Sequence, residues 1–274
     1  MKIDLHTHGK LSKKSAFSEE YFREMVTEAL ANGLQALALT EHFNTSNFFG
    51  MYETLDRMYP YNGHYYEADG LRIFPGMEVD IAETGHILLI GLKEDILEAR
   101  CALESNTLED AFIPFRELLD LAEAHGLWKI GAHPFRTSTP LHHLDPQLLA
   151  RLDAFDFNAK DIYMQGEQPY RALIEPFAAR FGIPVIAGSD SHQCLQYGSV
   201  VNRLEQDCST VAELKAAIQQ GRYTLEVSPC LTTKVKGSVM MKKLLKQMAG
   251  EAPSRDEAAA ESFFDNASFQ HETV

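Results

Sequence analysis

Polar and apolar positions along the chain fall into two alternating rhythms. Ile3-Asp4-Leu5-His6-Thr7-His8 alternates with a period of two, as a strand does when successive side chains point to opposite faces. That pattern predicts Asp4, His6 and His8 on one face and Ile3, Leu5 and Thr7 on the other. Ser18 then offers an N-cap, followed by Glu19 and Glu20 where a helix dipole favours acids. Phe22, Met25, Val26, Ala29 and Leu30 recur at helical spacing until Gly33. Ala36-Leu37-Ala38-Leu39 is apolar throughout, as a strand buried on both faces should be, and it ends in Thr40-Glu41-His42. The unit reads as β-α-β with polar groups after both strands.

The alternation continues. The aromatic-rich insertion from Phe43 to Tyr66 is either a packed loop with a short helix or a lid over a site. Leu71 to Ile81 reads as a strand broken at Pro75-Gly76, and Glu83-Thr84-Gly85 turns it into a second strand, His86 to Gly91. A hairpin there would bring Glu78 and His86 together. A helical region is expected from Thr107 to Gly126, with Pro114 beginning or kinking its main part. Strands follow at Trp128–Ala132, Ala154–Phe157 and Ile183–Ala187, and a helix at Tyr170–Phe181. Thr210 and Glu213 make a capping box for a helix stopped by Gly221, and Tyr223–Val227 is the last strand. Past Pro229 the composition shifts. Lys234 to Met248 holds five lysines and no acids, and Met240, Met241, Leu244, Leu245 and Met248 form an apolar stripe suited to packing on the domain or on another subunit. From Gly250 the polar, Ala- and Glu-rich composition predicts disorder. The chain therefore divides into a barrel-sized unit, residues 1–228, and a helical or flexible extension, residues 229–274.

Composition narrows the function. With 25 basic and 39 acidic residues the formal charge is −14, which disfavours an extended nucleic acid surface. No apolar run reaches the roughly 20 residues of a membrane span, and the first residues do not resemble a signal peptide. Cys101, Cys194, Cys208 and Cys230 are widely spaced without a CxxC, as in the reduced thiols of a cytoplasmic protein.

Candidate chemistry gathers where apolar strands end: His6, His8, Glu41, His42, Glu78, His133, Asp190 and His192, with His86 across the hairpin turn. In a parallel barrel the strand ends open on one face, where active sites are built. Imidazoles and carboxylates without cysteine suit catalytic divalent ions better than a structural zinc cage. His64, His125, His142, His143 and His271 fall in loops or at helix ends and receive no role.

His6-Thr7-His8, Thr40-Glu41-His42, Gly76-Met77-Glu78, Gly85-His86-Ile87-Leu88, Ala132-His133-Pro134 and Gly188-Ser189-Asp190-Ser191-His192 follow one another in the order of the motifs of the polymerase and histidinol phosphatase (PHP) family. The chain resembles its stand-alone metal-dependent phosphoesterases from Met1 to about Val227. The resemblance implies a distorted (β/α)7 TIM-like barrel and two or three divalent ions, zinc, manganese or iron. His6, His8, Glu78 and Asp190 would hold the first, Glu78 as a bridge with His86 and His133 the second, and His42 and His192 would contribute to a third. Many relatives carry an acid or histidine where this chain has Lys13 and Lys14. The third site is then weak, empty at ordinary metal levels, or replaced by a lysine that binds phosphate.

The implied activity is hydrolysis of a phosphate ester of a small molecule or nucleotide by a water activated between two ions. Arg136 with Lys10, Lys13 or Lys14 would neutralise the phosphate, His192 would protonate the leaving group if no metal takes it, and Glu41 would orient a ligand histidine. The competing readings are C–N bond hydrolysis by a related amidohydrolase and a non-catalytic metal-binding module serving a partner.

Overall fold

The computed structural model describes residues 1–248 and 250. Its strands are β1 (Lys2–Thr7), β2 (Ala36–Leu39), β3 (Tyr66–Ala68), β4 (Leu71–Asp80), β5 (His86–Ile90), β6 (Trp128–Gly131), β7 (Ala154–Asn158), β8 (Val185–Gly188), β9 (Val200–Leu204) and β10 (Tyr223–Val227). Its helices are α1 (Glu19–Ala31), α2 (Phe48–Met58), α3 (Lys93–Ala102), α4 (Phe115–Ala124), α5 (Pro146–Leu149), α6 (Ala159–Gln165), α7 (Glu167–Ala179), α8 (Val211–Gln219) and α9 (Leu231–Met248). Ser18 caps α1 by accepting from Tyr21 N, and Thr210 caps α8 by accepting from Glu213 N. Each such cap contributes about 1 kcal/mol.

The sheet runs β10-β9-β1-β2-β4-β5-β6-β7-β8, with β3 attached to β4. Its free end returns to β1: Asp190 N–H donates to His6 O and His8 N–H to Ser191 O, both at 2.8 Å. Lower in this seam Asn202 of β9 accepts from Ala187 N–H at 2.9 Å and donates to the carbonyls of Ala187 at 2.8 Å and Ile3 at 3.2 Å. The result is a mixed α/β, nearly closed barrel, the distorted TIM-like type expected. Its distortion is local. β1, β2 and β4 pair in parallel, as do β6, β7 and β8, but β5 runs antiparallel to both its neighbours. The start of β5 therefore lies at the same end of the barrel as the carboxyl ends of β1, β2, β4, β6, β7 and β8.

Strand side chains are buried on both faces, which explains the continuous apolar runs. Leu37, Leu39, Met77 and Phe155 join helix residues such as Phe22, Met51, Leu118 and Ile174 in one core. Ile3, Leu5, Ala36, Ala38, Phe74, Leu88 and Trp128 form another. The aromatic insertion is part of the first core: Phe48, Tyr52, Tyr59 and Tyr66 are buried, so it is a packed layer with helix α2.

Three expectations change. β4 does not break at Pro75-Gly76; it runs through, its ladder with β2 reaching Pro75 and that with β5 starting at Gly76, while Glu78 still bonds to Glu41 and Phe43 after β2. A Cβ on Gly76 would stand 2.8 Å from Leu89 O, so only glycine allows this approach. The helix expected from Thr107 starts at Phe115, because Pro114 takes the N-cap position and the preceding residues form short 3-10 turns. The apolar stripe of α9 faces outward, with Met240 56% and Met248 85% exposed. The helix is held by another face: Leu231, Val235 and Ser238 are buried, Lys234 Nζ donates to Asn32 Oδ1 and Tyr197 O, and Ser238 Oγ donates to Gln196 Oε1. Among the described residues no helix is long and apolar enough to cross a membrane. The stretch beyond Gly250, read as disordered, lies outside the described residues.

Candidate metal centre

The ends of six strands bring the expected donors to one point, and Glu78 is its middle. Glu78 Oε1 lies 2.8 Å from His86 Nδ1, 3.4 Å from His133 Nε2 and 3.5 Å from His6 Nε2. Its other oxygen lies 2.9 Å from His42 Nδ1 and 3.5 Å from His8 Nε2. Asp190 Oδ1 stands 3.2 Å from His8 Nε2 and 3.6 Å from His6 Nε2. The donor atoms form three groups, each within 4.8 Å: His6, His8 and Asp190; Glu78, His86 and His133; and His8, His42 and His192. The antiparallel β5 is what lets His86, at a strand start, meet Glu78 near the end of β4. Asp4 does not join them. The β1–β2 register shifts between Asp4 and Thr7, and the Asp4 carboxylate accepts instead from His6 N and Ser189 N.

Among the described residues, two of the five non-glycine residues with positive φ sit here. His133 and Asp190 adopt φ of +32° and +58°, conformations that cost non-glycine residues on the order of 1–3 kcal/mol each. β8 also approaches β1 so closely that a Cβ on Gly188 would lie 2.5 Å from His6 Cβ.

The donor set fits cations. His6 Nε2, His8 Nε2, His42 Nδ1, His133 Nε2 and Glu78 Oε2 are buried without a hydrogen-bond partner. Buried polar atoms left so are costly unless something else satisfies them, and convergent lone pairs of imidazole and carboxylate suit divalent ions. The far sides of the rings are held. His6 Nδ1–H donates to Asp156 Oδ2 at 2.9 Å, and Asp156 also accepts from Asn158 Nδ2 at 3.0 Å. His192 Nδ1–H donates to Asp190 O at 3.2 Å, and His86 Nε2 lies 3.1 Å from Asp80 Oδ1. Glu41 stands behind His8, 3.8 Å from its Nδ1, and accepts from the amides of Gly9, Lys10 and His42. Such contacts fix the tautomer and ring orientation of ligand histidines.

Charge is distributed unevenly. Burial opposes ionisation of Glu78, yet His86, His42 and His6 hold it well below the ordinary carboxylate range. Asp190 is held low against its burial by His6 and Arg136. Burial likewise opposes charge on His86, but Glu78 and Asp80 raise it to about 10. His42 falls to about 4 through burial and the charge of Lys13, and His133 to about 3 through burial and Arg136. Burial, His8 and Lys242 push His192 well below its usual value.

Above the centre lies a cavity of about 1020 Å³. Of the cations expected to meet phosphate, Lys13, Lys14 and Arg136 line it and Lys10 does not. Lys10 is buried and donates to Thr45 Oγ1, Ser46 O and Ser46 Oγ, so it pins a loop. Lys13 lines the cavity, with its Nζ 2.8 Å from Asp80 Oδ2. Arg136 donates to Asp190 at 2.8 Å, to Asn158 at 2.8 Å and to Asp161 at 2.8 Å, which directs its guanidinium at the protein. Sequence reasoning missed Asp80, Asp156, Lys160, Lys242 and Lys246. Asp80 sits two residues past Glu78 on the same strand and Asp156 within an apolar run, two signals of the kind used elsewhere. Nothing local marks the three lysines, which share the cavity lining.

Fold and donor set together define an α/β barrel with a His/carboxylate centre whose groups could hold metal ions. Residues 4–230 match the PHP domain, and the chain belongs to that family. The structure is similar to PsfC from Pseudomonas syringae, with a TM-score of 0.71 at 22% identity over 89% of this chain and 98% of that one. A lesion-specific endonuclease from Pyrococcus furiosus gives 0.61 at 20% identity over 82% of this chain and 58% of that one. A two-domain protein from Bacteroides vulgatus containing a predicted PHP-like metal-dependent phosphoesterase gives 0.55 at 19% identity, covering 82% and 64%. At these identities the likeness establishes a shared fold. Comparison with curated proteins finds no match.

Proposed function

We propose that the chain is a metal-dependent phosphoesterase acting on a phosphate ester of a small molecule or nucleotide. The observation that carries this reading is Glu78 set among five imidazoles beneath a lysine-lined cavity. His6, His8, Glu78 and Asp190 would hold one ion, Glu78, His86 and His133 a second, and His42 and His192 would contribute to a third. Bound ions supply Lewis acidity and an activated water. The residues around them do the rest. Asp156 keeps the Nε2 lone pair of His6 directed at the centre, and Asp80 holds His86 with Lys13 behind it. Arg136 positions Asp190. His192, grouped with His8 and His42, serves as a ligand and in that role has no proton to give.

Lysines around the cavity favour a phosphate ester over an amide, since cations stabilise the charge on a transferring phosphoryl group. The net charge of −14 favours a small substrate over an extended nucleic acid. The four cysteines are free, in keeping with a reducing compartment. The test is elemental analysis after chelator-free purification, followed by rates on p-nitrophenyl phosphate and a phosphate-ester panel with added zinc, manganese or iron. At least two ions per chain and metal-dependent turnover are expected. Less than one ion per chain, or turnover of amides alone, would overturn the proposal.

A further inference from the structure

The cavity lining extends past the family-matched residues. Residues 4–230 contain the donor set, but Val235, Ser238, Val239, Lys242 and Lys246 of α9 also line the cavity. They follow one another along a single face of the helix, at the i, i+3, i+4 and i+7 spacings that place side chains together. The character of that face changes along its length. Its first turns are anchors: Leu231 and Val235 are buried in the core, and Ser238 is bonded to Gln196 on the loop that follows His192. Farther on, the same face presents Lys242 and Lys246, and Lys246 is only 7% exposed. Helix α9 thus has an outward side with exposed methionines and leucine, while it turns two lysines toward a metal-type centre. The opposite choice would have buried the apolar side chains. Lys160, in the first turn of α6, lines the same cavity.

We propose that α9 supplies a second anion subsite, in which Lys242 and Lys246, with Lys160, hold a phosphate or carboxylate of the substrate other than the phosphate at the His/carboxylate centre. The preferred substrate then carries at least two anionic groups. This rests on the phosphoesterase reading above. The cavity, about 1020 Å³, is at the upper end of ligand-sized pockets, which run from about 300 to 1,000 Å³. A lone phosphate would leave most of it unused. Against the overall charge of −14, the cavity lining has more basic side chains (Lys13, Lys14, Arg136, Lys160, Lys242 and Lys246) than acidic ones (Glu78, Asp80, Glu109 and Asp190), and a basic excess in a concavity concentrates anionic ligands. Because uniform binding of a remote group acts on KM, the subsite should be read as a KM effect specific to substrates that reach it.

The test compares matched pairs of singly and doubly phosphorylated sugars and nucleotides, using the full-length metal-loaded protein, with p-nitrophenyl phosphate as a single-anion reference. The parent is expected to prefer the doubly phosphorylated member of at least one pair by about tenfold or more in kcat/KM. Lys242→Gln and Lys246→Gln should shrink that preference several-fold through KM, and Lys236→Gln, on the exposed side of α9, should leave it intact. Circular dichroism melts of each variant separate a binding loss from a folding loss, and Lys246→Arg should restore part of the preference if Lys246→Gln folds poorly. No pair preferred by the parent, or equal losses for both members of each pair, would overturn the subsite. Absence of turnover on every ester, p-nitrophenyl phosphate included, would instead overturn the phosphoesterase reading.

Discussion

The floor and one wall of the cavity are built by different physics. The floor is strand-end backbone and short side chains. Its groups are buried, convergent and in places strained, as His133 and Asp190 are. The wall formed by α9 is one helix with long cationic side chains, anchored at its beginning by Leu231, Val235 and Ser238. A floor of this kind sets the chemistry, because sub-ångström placement of donors decides whether a cation is held. A wall of this kind sets which molecules reach it, since lysines on flexible stems adapt to their ligand. Changes in the floor should abolish ions and turnover together, while changes in the wall should redistribute substrates.

The largest effect should come from Glu78→Gln. Glu78 stands within reach of both the His6/His8 group and the His86/His133 group, so the substitution should lower metal content at both and cut kcat/KM by on the order of 10³-fold, several kcal/mol of transition-state stabilisation. Elemental analysis beside initial rates would show it; full metal content with a normal rate would end the idea of a shared carboxylate. Next comes removal of the ions. Ligands bound only to the folded state at about 1,000 times Kd stabilise by about 4 kcal/mol, which in a domain of this size lowers Tm by roughly 10 °C on chelation. Calorimetry with and without chelator measures it, and an unchanged Tm would argue that the buried donors are satisfied without cations.

Asp156→Asn tests the support behind the floor. It weakens the acceptor that keeps His6 Nδ1 protonated, so metal affinity or rate should fall about 10- to 100-fold with little change in substrate preference. An effect confined to doubly charged substrates would erase the division between floor and wall. The smallest effect is expected at the wall's anchor. Ser238→Ala removes the donor to Gln196 Oε1 and should cost about 1 kcal/mol in urea unfolding, with only a few-fold loss of kcat/KM. A loss as deep as that of Glu78→Gln would mean that α9 organises the ions as well.

Much of the barrel was legible because the information is local. Apolar runs of strand length, the Ser18 and Thr210 caps, and the turn at Glu83-Thr84-Gly85 report on neighbours a few residues away. The convergence of the imidazole and carboxylate side chains was legible for the same reason: most follow an apolar strand, and the parallel rule sends strand ends to one face. Even the meeting of Glu78 with His86 followed from a hairpin. Where local signals were weak the reading failed, as at the charged helix α3 and the short α6 and β9. The site's support depends on partners far apart in the chain. Asp156 meets His6 across 150 residues, and Arg136 reaches Asp190 across 54. Periodicity could not choose the direction of α9 either, since it offers an apolar stripe and a lysine face on the same turns. Tertiary packing put Leu231, Val235 and Ser238 inward, and helical geometry then carried Lys242 and Lys246 to the cavity. By itself the sequence determined which atoms could bind a cation; closure of the barrel and docking of α9 decided what holds those atoms still and what meets them from above, because both depend on contacts that only the folded chain brings within reach.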